Sequence, residues 1–402
     1  MNKKAKSLLK GIIVLALLGV IIFFGIKLII KNDKSVSIND KNEIGKNEEY
    51  KISLLAVGDA LIHDGVYKKA ATGSKDSNGY TKYDFNSMFS YIKDIVKDYD
   101  LAYYNQETII GGKNLGLSGY PCFNSPDEIG DNLVDMGFNL VSTANNHSMD
   151  RGEKAIRYSV DYWKKKENVV MAGTYASKEE RDKILTYEKN GITYAFLAYT
   201  YGTNGINVPS GKDYLVNVWP MNEGMSVARD TEYQQYKEQV RKDIESVRDK
   251  VDVVIVSMHW GVEYTHTPTA HQKDAAQFLS ELGVDIVLGS HPHVIQPVEF
   301  IDDTLVFYSF GNFISAQNGT EKRVEMIASL DINKKVENGK TTISIDNVKT
   351  DLLWDYYTGY YKVYPFPKLN NSLLGNYKNI YTQYKAIINK SGDDRIQVGF
   401  LE

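Results

Sequence analysis

Apolar runs of strand length recur along this chain, and five of them end on a carboxylate, an asparagine or a histidine. Residues 51–57 lead into Gly58-Asp59, 101–104 into Asn105-Gln-Glu107, and 139–144 into Asn145-Asn146-His147. Residues 251–258 lead into His259-Trp260, and 284–288 into Gly289-Ser-His291-Pro-His293. Several of these runs are short, continuous and rich in β-branched residues, as strands buried on both faces are. Between them stand helical periods: 87–99, 127–136 stopped by Gly137, 153–166, 231–250, and 269–282 stopped by Gly283. Strand–helix alternation builds a parallel sheet, and open α/β sheets place ligand sites outside the carboxyl ends of their strands. The polar clusters are therefore expected along one edge. Alternate residues of an extended segment point the same way, so His291 and His293 are expected to aim their imidazoles at one point.

The pattern includes a hairpin over 184–199 turning at Asn190-Gly191. After His293 it changes to an antiparallel meander of 294–300, 304–310, 324–332 and 341–348, with a turn at Glu337-Asn-Gly339. Mixed βα units followed by a meander imply an α/β (mixed α+β) fold with two sheets packed face to face and helices outside. Residues 51–368 form the main domain on this reading. A Tyr-rich tail, 369–402, carries a helix over 375–389.

Residues 1–31 stand apart. Lys3, Lys4, Lys6 and Lys10 precede an apolar span from Gly11 to Ile30. That span has the roughly 20 residues a bilayer core requires, if Lys27 snorkels to the far interface. Basic residues ahead of it keep the N-terminus cytoplasmic. A cleaved signal peptide is the alternative, but no small-x-small site follows the run. The expectation is a single uncleaved transmembrane anchor at the cell membrane, a polar stalk over 32–50, and an extracytoplasmic domain. Cys122 is the one cysteine, so stability must come from core burial without a disulfide. Setting aside the six lysines of residues 1–31, 41 basic residues face 51 acidic ones. Such a domain is a poor nucleic-acid binder.

Carboxylate, amide oxygen and imidazole together suit a first-row divalent cation of the Mn, Fe or Zn class. Asp59, His63, Glu107, Asn146, His259, His291 and His293 are the candidate ligands. They are numerous enough for two ions bridged by one carboxylate, a centre that activates water. Each has another role open to it. Asp59 can cap a helix, Glu107 can pair with Lys113, Asn146 can occupy a left-handed turn, and His259 can be a core histidine. His266 and His271 fit solvated or supporting positions. No Gly-x-Ser-x-Gly elbow and no histidine neighbour for Cys122 support nucleophile chemistry.

The motifs Gly58-Asp59, Asn105-x-Glu107, Ser142-Thr-Ala-Asn-Asn-His147 with Asp150-Arg-Gly152, His259-Trp-Gly-Val-Glu263, Gly289-Ser-His-Pro-His-Val-x-Gln-Pro297 and Tyr308-Ser-Phe-Gly-Asn-Phe313 occur in that order. Together they resemble the CapA-type poly-γ-glutamate capsule biosynthesis family, part of the calcineurin-like metallophosphoesterase superfamily. The resemblance runs from about Lys51 to Tyr364. It implies a four-layer α-β-β-α sandwich, with Asp59 and His293 on a first metal and Glu107 bridging. Asn146, His259 and His291 would hold a second. His147 would be the non-ligand histidine that protonates a leaving group. Asn105, Arg151, Trp260 and Glu263 would line the substrate. The chain offers His63 where the superfamily has Asp-x-His, and a glutamate at the bridging position where it has an aspartate.

Two functions are compatible with these features. One is a membrane-anchored, metal-dependent hydrolase or transferase (phosphoesterase-like) in the synthesis, export or anchoring of a polyanion such as poly-γ-glutamate. The other is a non-enzymatic subunit of a capsule synthesis or export complex, using the fold for polymer binding or assembly.

Overall fold

Alternate residues of the first strand, β1 (Glu48–Ala60), face two different cores. Ile52, Leu54 and Ala56 meet Phe196, Ile255 and Leu288 of a second sheet, whereas Leu55 and Val57 meet Phe89, Leu133 and Trp163 beneath helices. This period-two division is what a central strand between two apolar layers requires. The computed structural model describes residues 47–401. The expected anchor over 1–31 and most of the stalk lie outside the described residues. Strand β1 begins at Glu48, inside the stretch read as stalk. Among the described residues no helix is long and apolar enough to cross a membrane.

The strands continue as β2 (Ala71–Lys75), β3 (Thr81–Tyr83), β4 (Leu101–Asn105), β5 (Leu140–Ser142), β6 (Val170–Ala172), β7 (Thr186–Lys189), β8 (Ile192–Thr200) and β9 (Val253–His259). Then come β10 (Ile286–Ser290), β11 (Val298–Ile301), β12 (Thr304–Phe307), β13 (Asn312–Ile314), β14 (Val324–Glu337), β15 (Lys340–Tyr356), β16 (Lys362–Pro365) and β17 (Ile396–Val398). The large sheet has the order β16-β15-β14-β1-β4-β5-β6, with β13 beside β1 and β17 beside β15. The second has the order β11-β12-β10-β9-β8-β7, and β2 pairs with β3 alone. Helices α1 (Asp127–Met136) and α2 (Gly152–Lys164) supply Leu133 and Trp163 to the outer layer of the large sheet. Helices α3 (Thr231–Arg248) and α4 (Ala270–Glu281) bring Ile244 and Leu279 onto Val254 and Val256 of β9. The architecture is a mixed α/β fold with two sheets sharing one apolar layer and helices outside.

Several local expectations change. Residues 87–99 form a tight helical turn at Asn86–Phe89 and a short one at Lys93–Val96, which let Phe89 stack on Phe313 at 4.9 Å. The segment after His293 is not a pure meander: β12 runs parallel to β10, and β13 parallel to β1. Tertiary pairing overrode local hairpin geometry there. Within 369–402, helix α5 (Tyr377–Ile388) sets Tyr384 and Ile388 into the inter-sheet core, and β17 extends the large sheet.

One close approach supports the site directly. A Cβ on Gly58 would lie 1.9 Å from the Gly311 carbonyl oxygen, which accepts from the Asp59 amide at 3.0 Å. Gly58→Ala is expected to destabilise the fold by about 1–3 kcal/mol, because a methyl group must push two packed strands apart. Urea unfolding measures it, and an unchanged midpoint would show that the strands are free to separate.

Candidate metal centre

The parallel strands β1, β4, β5, β9 and β10 end together, and their last residues carry the polar side chains inward. Asp59 is fully buried and accepts from Asn105 Nδ2 at 2.8 Å and from the His291 backbone amide at 3.2 Å. Glu107, also fully buried, stands 3.6 Å from His293 Nε2 and 3.7 Å from His259 Nε2. Those separations are too long for hydrogen bonds. His293 Nδ1 donates to Asn312 Oδ1 at 3.0 Å and lies 3.5 Å from Asp59 Oδ2. Asn146 Oδ1 and His259 Nε2 are 3.0 Å apart, and His259 Nδ1 meets Ser290 Oγ at 2.9 Å.

His291 and His293 do converge, but not by strand alternation. Both have left the strand and hold positive φ, +96° for His291 and +56° for His293. Non-glycine residues held there cost on the order of 1–3 kcal/mol each and cluster at functional sites. The result is that ligand atoms of Glu107, His291 and His293 all lie within 4.8 Å of one another.

These residues fit a cation. Both Glu107 carboxylate oxygens, Asn105 Oδ1 and His291 Nδ1 are buried without a hydrogen-bond partner. Buried polar atoms left this way are costly unless something else satisfies them. Burial, then the neighbouring histidine charges, hold His259 and His291 well below the ordinary imidazole range, so their lone pairs are available. Burial also pushes the Glu107 carboxyl well up. At His293 burial opposes the charged form, but the Glu107 charge and the Asp59 hydrogen bond outweigh it and raise the group to about 9. A cation and the His293 proton therefore compete for the same donors. Lys113, the alternative partner for Glu107, instead binds Glu128 at 2.6 Å.

His147 lies next to this cluster, close enough for its charge to act on His259, His291 and His63. Its Nδ1–H donates to Asp150 Oδ2 at 2.8 Å, and the same oxygen accepts from the Phe123 amide at 2.6 Å. The turn is held by Asn145, which accepts from the His147 amide and donates to the Gln106 carbonyl. Phe123 stands edge-on to both His147 and His63. His63 Nδ1 is engaged by the Ala316 and Leu61 backbone, and burial lowers its pKa to about 4.

The four residues expected around substrate separate. Glu263 is exposed, and its charge is felt at Glu107 and His293. Asn105 is fully buried and orients Asp59. Arg151 is tied to Ser118 Oγ and the Leu115 carbonyl, bracing the loop that carries Phe123. Trp260 is a correction: its ring is fully buried against Tyr308 and its Nε1–H donates to the Tyr308 carbonyl. A side chain that follows a buried strand and reaches the helix-covered face cannot also meet solvent. His266 faces the Ile295 carbonyl, and His271 lies between Glu223 and Asp230.

Sequence reasoning missed three participants. Asp150 stood in a motif without a role, although its i+3 position after His147 is a turn spacing that lets the two meet. Tyr201 packs its ring 4.6 Å from His291 and parallel to His259, and Asn312 orients His293. Nothing local in the chain marks Tyr201.

Comparisons with known proteins agree on one lineage. The family described as "Bacterial capsule synthesis protein PGA_cap" matches residues 53–317, which include every residue of the centre. The PGA biosynthesis protein CapA of Bacillus subtilis is 27% identical over 299 residues, covering 73% of this chain and 72% of that protein. The capsule biosynthesis protein CapA of Bacillus anthracis is 25% identical over 287 residues, covering 69% and 62%. The uncharacterized protein y4uA of Sinorhizobium fredii is 22% identical over 342 residues, covering 71% and 70%. With the match spanning the whole second sheet, most of β1 with β4, β5, β6 and β13 of the large one, and all of their polar edge, the chain belongs to the bacterial capsule synthesis protein PGA_cap family.

Proposed function

We propose that this protein is a membrane-anchored, metal-dependent hydrolase or transferase acting on an extracytoplasmic capsule polymer of the poly-γ-glutamate class. The names of the Bacillus relatives support the polymer, and the unpartnered donors at Glu107 and His291 support the cation. The observation that carries the reading is the pairing of that cluster with a histidine whose orientation Asp150 fixes.

Glu107, His291 and His293 would hold one divalent ion of the Mn, Fe or Zn class, with Asp59 at its side. Asn146 and His259 would complete a second. Bound cations supply Lewis-acid stabilisation of developing negative charge and activate water. The chain supplies the rest. In its imidazolium form His147 donates Nδ1–H to Asp150 and keeps Nε2–H free to give to a leaving amine or alkoxide. Tyr201 and Phe123 shield the imidazoles from bulk water. The Asp59–Asn105 hydrogen bond holds its carboxylate in one rotamer. Residues 1–31 would tether this chemistry to the outer face of the membrane, beside subunits that make or export the polymer.

The test is metal content and turnover on one preparation. Purified protein should carry divalent metal and cleave γ-glutamyl oligomers or a phosphoester in a chelator-sensitive manner. Metal-free protein that remains fully active would end this reading.

A further inference from the structure

The surface next to the centre carries tyrosines in contact with one another and with cations. Tyr264 begins the row. It is 46% exposed, holds φ +64°, and its ring lies 6.1 Å from that of His293. Lys322 Nζ sits 4.4 Å from the Tyr264 ring centre, and Gln317 donates to its hydroxyl at 3.3 Å. One residue further, Asn318 accepts from the Tyr357 hydroxyl at 2.6 Å, and the Arg323 guanidinium lies 3.9 Å from the Tyr357 ring. A second group starts at Tyr356, the last residue of β15, partly packed on the inter-sheet core. It lies 5.0 Å from Tyr360, whose hydroxyl bonds that of the buried Tyr364 at 2.8 Å. Tyr91 closes it, 5.1 Å from Tyr364 and under Lys362 Nζ at 5.3 Å.

Soluble domains rarely leave contiguous aromatic surface exposed without a use, and Tyr360 and Tyr91 are 44% and 41% exposed. Three cations, Lys322, Arg323 and Lys362, lie over rings of this row. An ammonium over a ring is attracted by its π-face and keeps N–H groups for an incoming carboxylate, as Lys322 and Lys362 can. Arg323, by contrast, is held between Trp354 and Tyr357 with Nε–H given to the Asp355 carbonyl. Tyrosine faces accept flat amide planes, and their hydroxyls donate to anionic oxygens. Among the described residues, Glu321, 3.5 Å from Lys322, is the one acid that forms an ion pair with these cations. The alternation of flat faces and positive charge therefore suits a chain that repeats amides and carboxylates.

We propose that this row is a binding track for an extended polycarboxylate chain, continuing the substrate path outward from the metal centre. The proposal rests on the polymer reading given above. Residues 318–364, which carry most of the track, lie beyond the family match at 53–317.

A track of spaced contacts makes affinity depend on chain length, since each further contact is made at high effective concentration. The test uses the full-length protein in detergent, loaded with Mn²⁺, and labelled γ-glutamyl oligomers of about three and about thirty residues. Fluorescence anisotropy should show the long chain binding at least about tenfold tighter than the short one, and losing that advantage at high salt. Lys362→Glu and Tyr360→Ala should each weaken the long chain several-fold and leave the short one unchanged, with unaltered thermal unfolding. Equal affinity for both lengths would overturn the track, as would indifference to both variants. A neutral polysaccharide of similar length binding as tightly would overturn the polycarboxylate assignment. Long-chain binding that remains variant-sensitive while short oligomers fail to bind would support the track and sink only the reading of the centre.

Discussion

Glu107→Gln is expected to cost the protein its divalent cation while making the cation-free form harder to unfold. Both Glu107 oxygens are buried without a hydrogen-bond partner, and burial, with the Asp59, Glu263 and Asp150 charges behind it, pushes the carboxyl well up against the pull of His293. The cation-free fold therefore holds a costly group that only the neighbouring His293 charge offsets. An amide of the same shape removes the charge and can donate toward His259 or His293. Replacing this buried ionisable group by a neutral one is worth about 1–3 kcal/mol here, within the roughly 1–4 kcal/mol gained where buried ionic groups are replaced by neutral ones. Metal affinity should fall at least about 100-fold, because even supporting residues around metals are worth 10–100-fold. Elemental analysis and thermal unfolding in chelator measure the two effects on the same sample. Full metal retention would remove Glu107 from the ligand set, and a lower unfolding temperature would show that its carboxylate has a partner in the empty site.

The second large effect is on turnover. His147→Ala should lower the catalytic rate by about 10²–10⁴-fold, the usual contribution of a positioned general acid. Metal content should not change, because His147 is not among the residues whose ligand atoms converge with Glu107 and its Nδ1–H is given to Asp150. Asp150→Asn should reduce the rate with His147 still present, since a neutral amide gives the imidazolium no counter-charge and can turn its NH2 group toward Nδ1. Complementation separates enzyme from assembly subunit. Surface polymer that is unaffected by His147→Ala at normal protein level would assign the fold a non-catalytic role in the capsule complex.

The βα alternation was legible because buried strands and amphipathic helices leave different periods in the chain. The helix at 127–136 and the hairpin turning at Asn190-Gly191 sit where those periods place them. Strand exits were legible for the same reason: an apolar run that ends on His259 or Asp59 announces a sheet edge. Sheet partners after His293 were not, because a strand's neighbour depends on what remains unpaired when the rest has folded. Hence β13 lies parallel to β1, and β17 returns from the end of the chain to β15.

The sequence by itself determined which residue types reach the polar edge and the order in which they arrive, since periodicity and turn residues act over a few neighbours. Only the tertiary structure decided their roles. Trp260 and Glu263 are three residues apart, yet one is sealed in the core and the other faces solvent. The convergence of His291 with His293 depends on two strained backbone angles that no local preference selects. Tyr201 and Asn312 come to the imidazoles from separate strands. Contacts of that kind are set by packing between distant segments, and packing is a property of the assembled sheets alone.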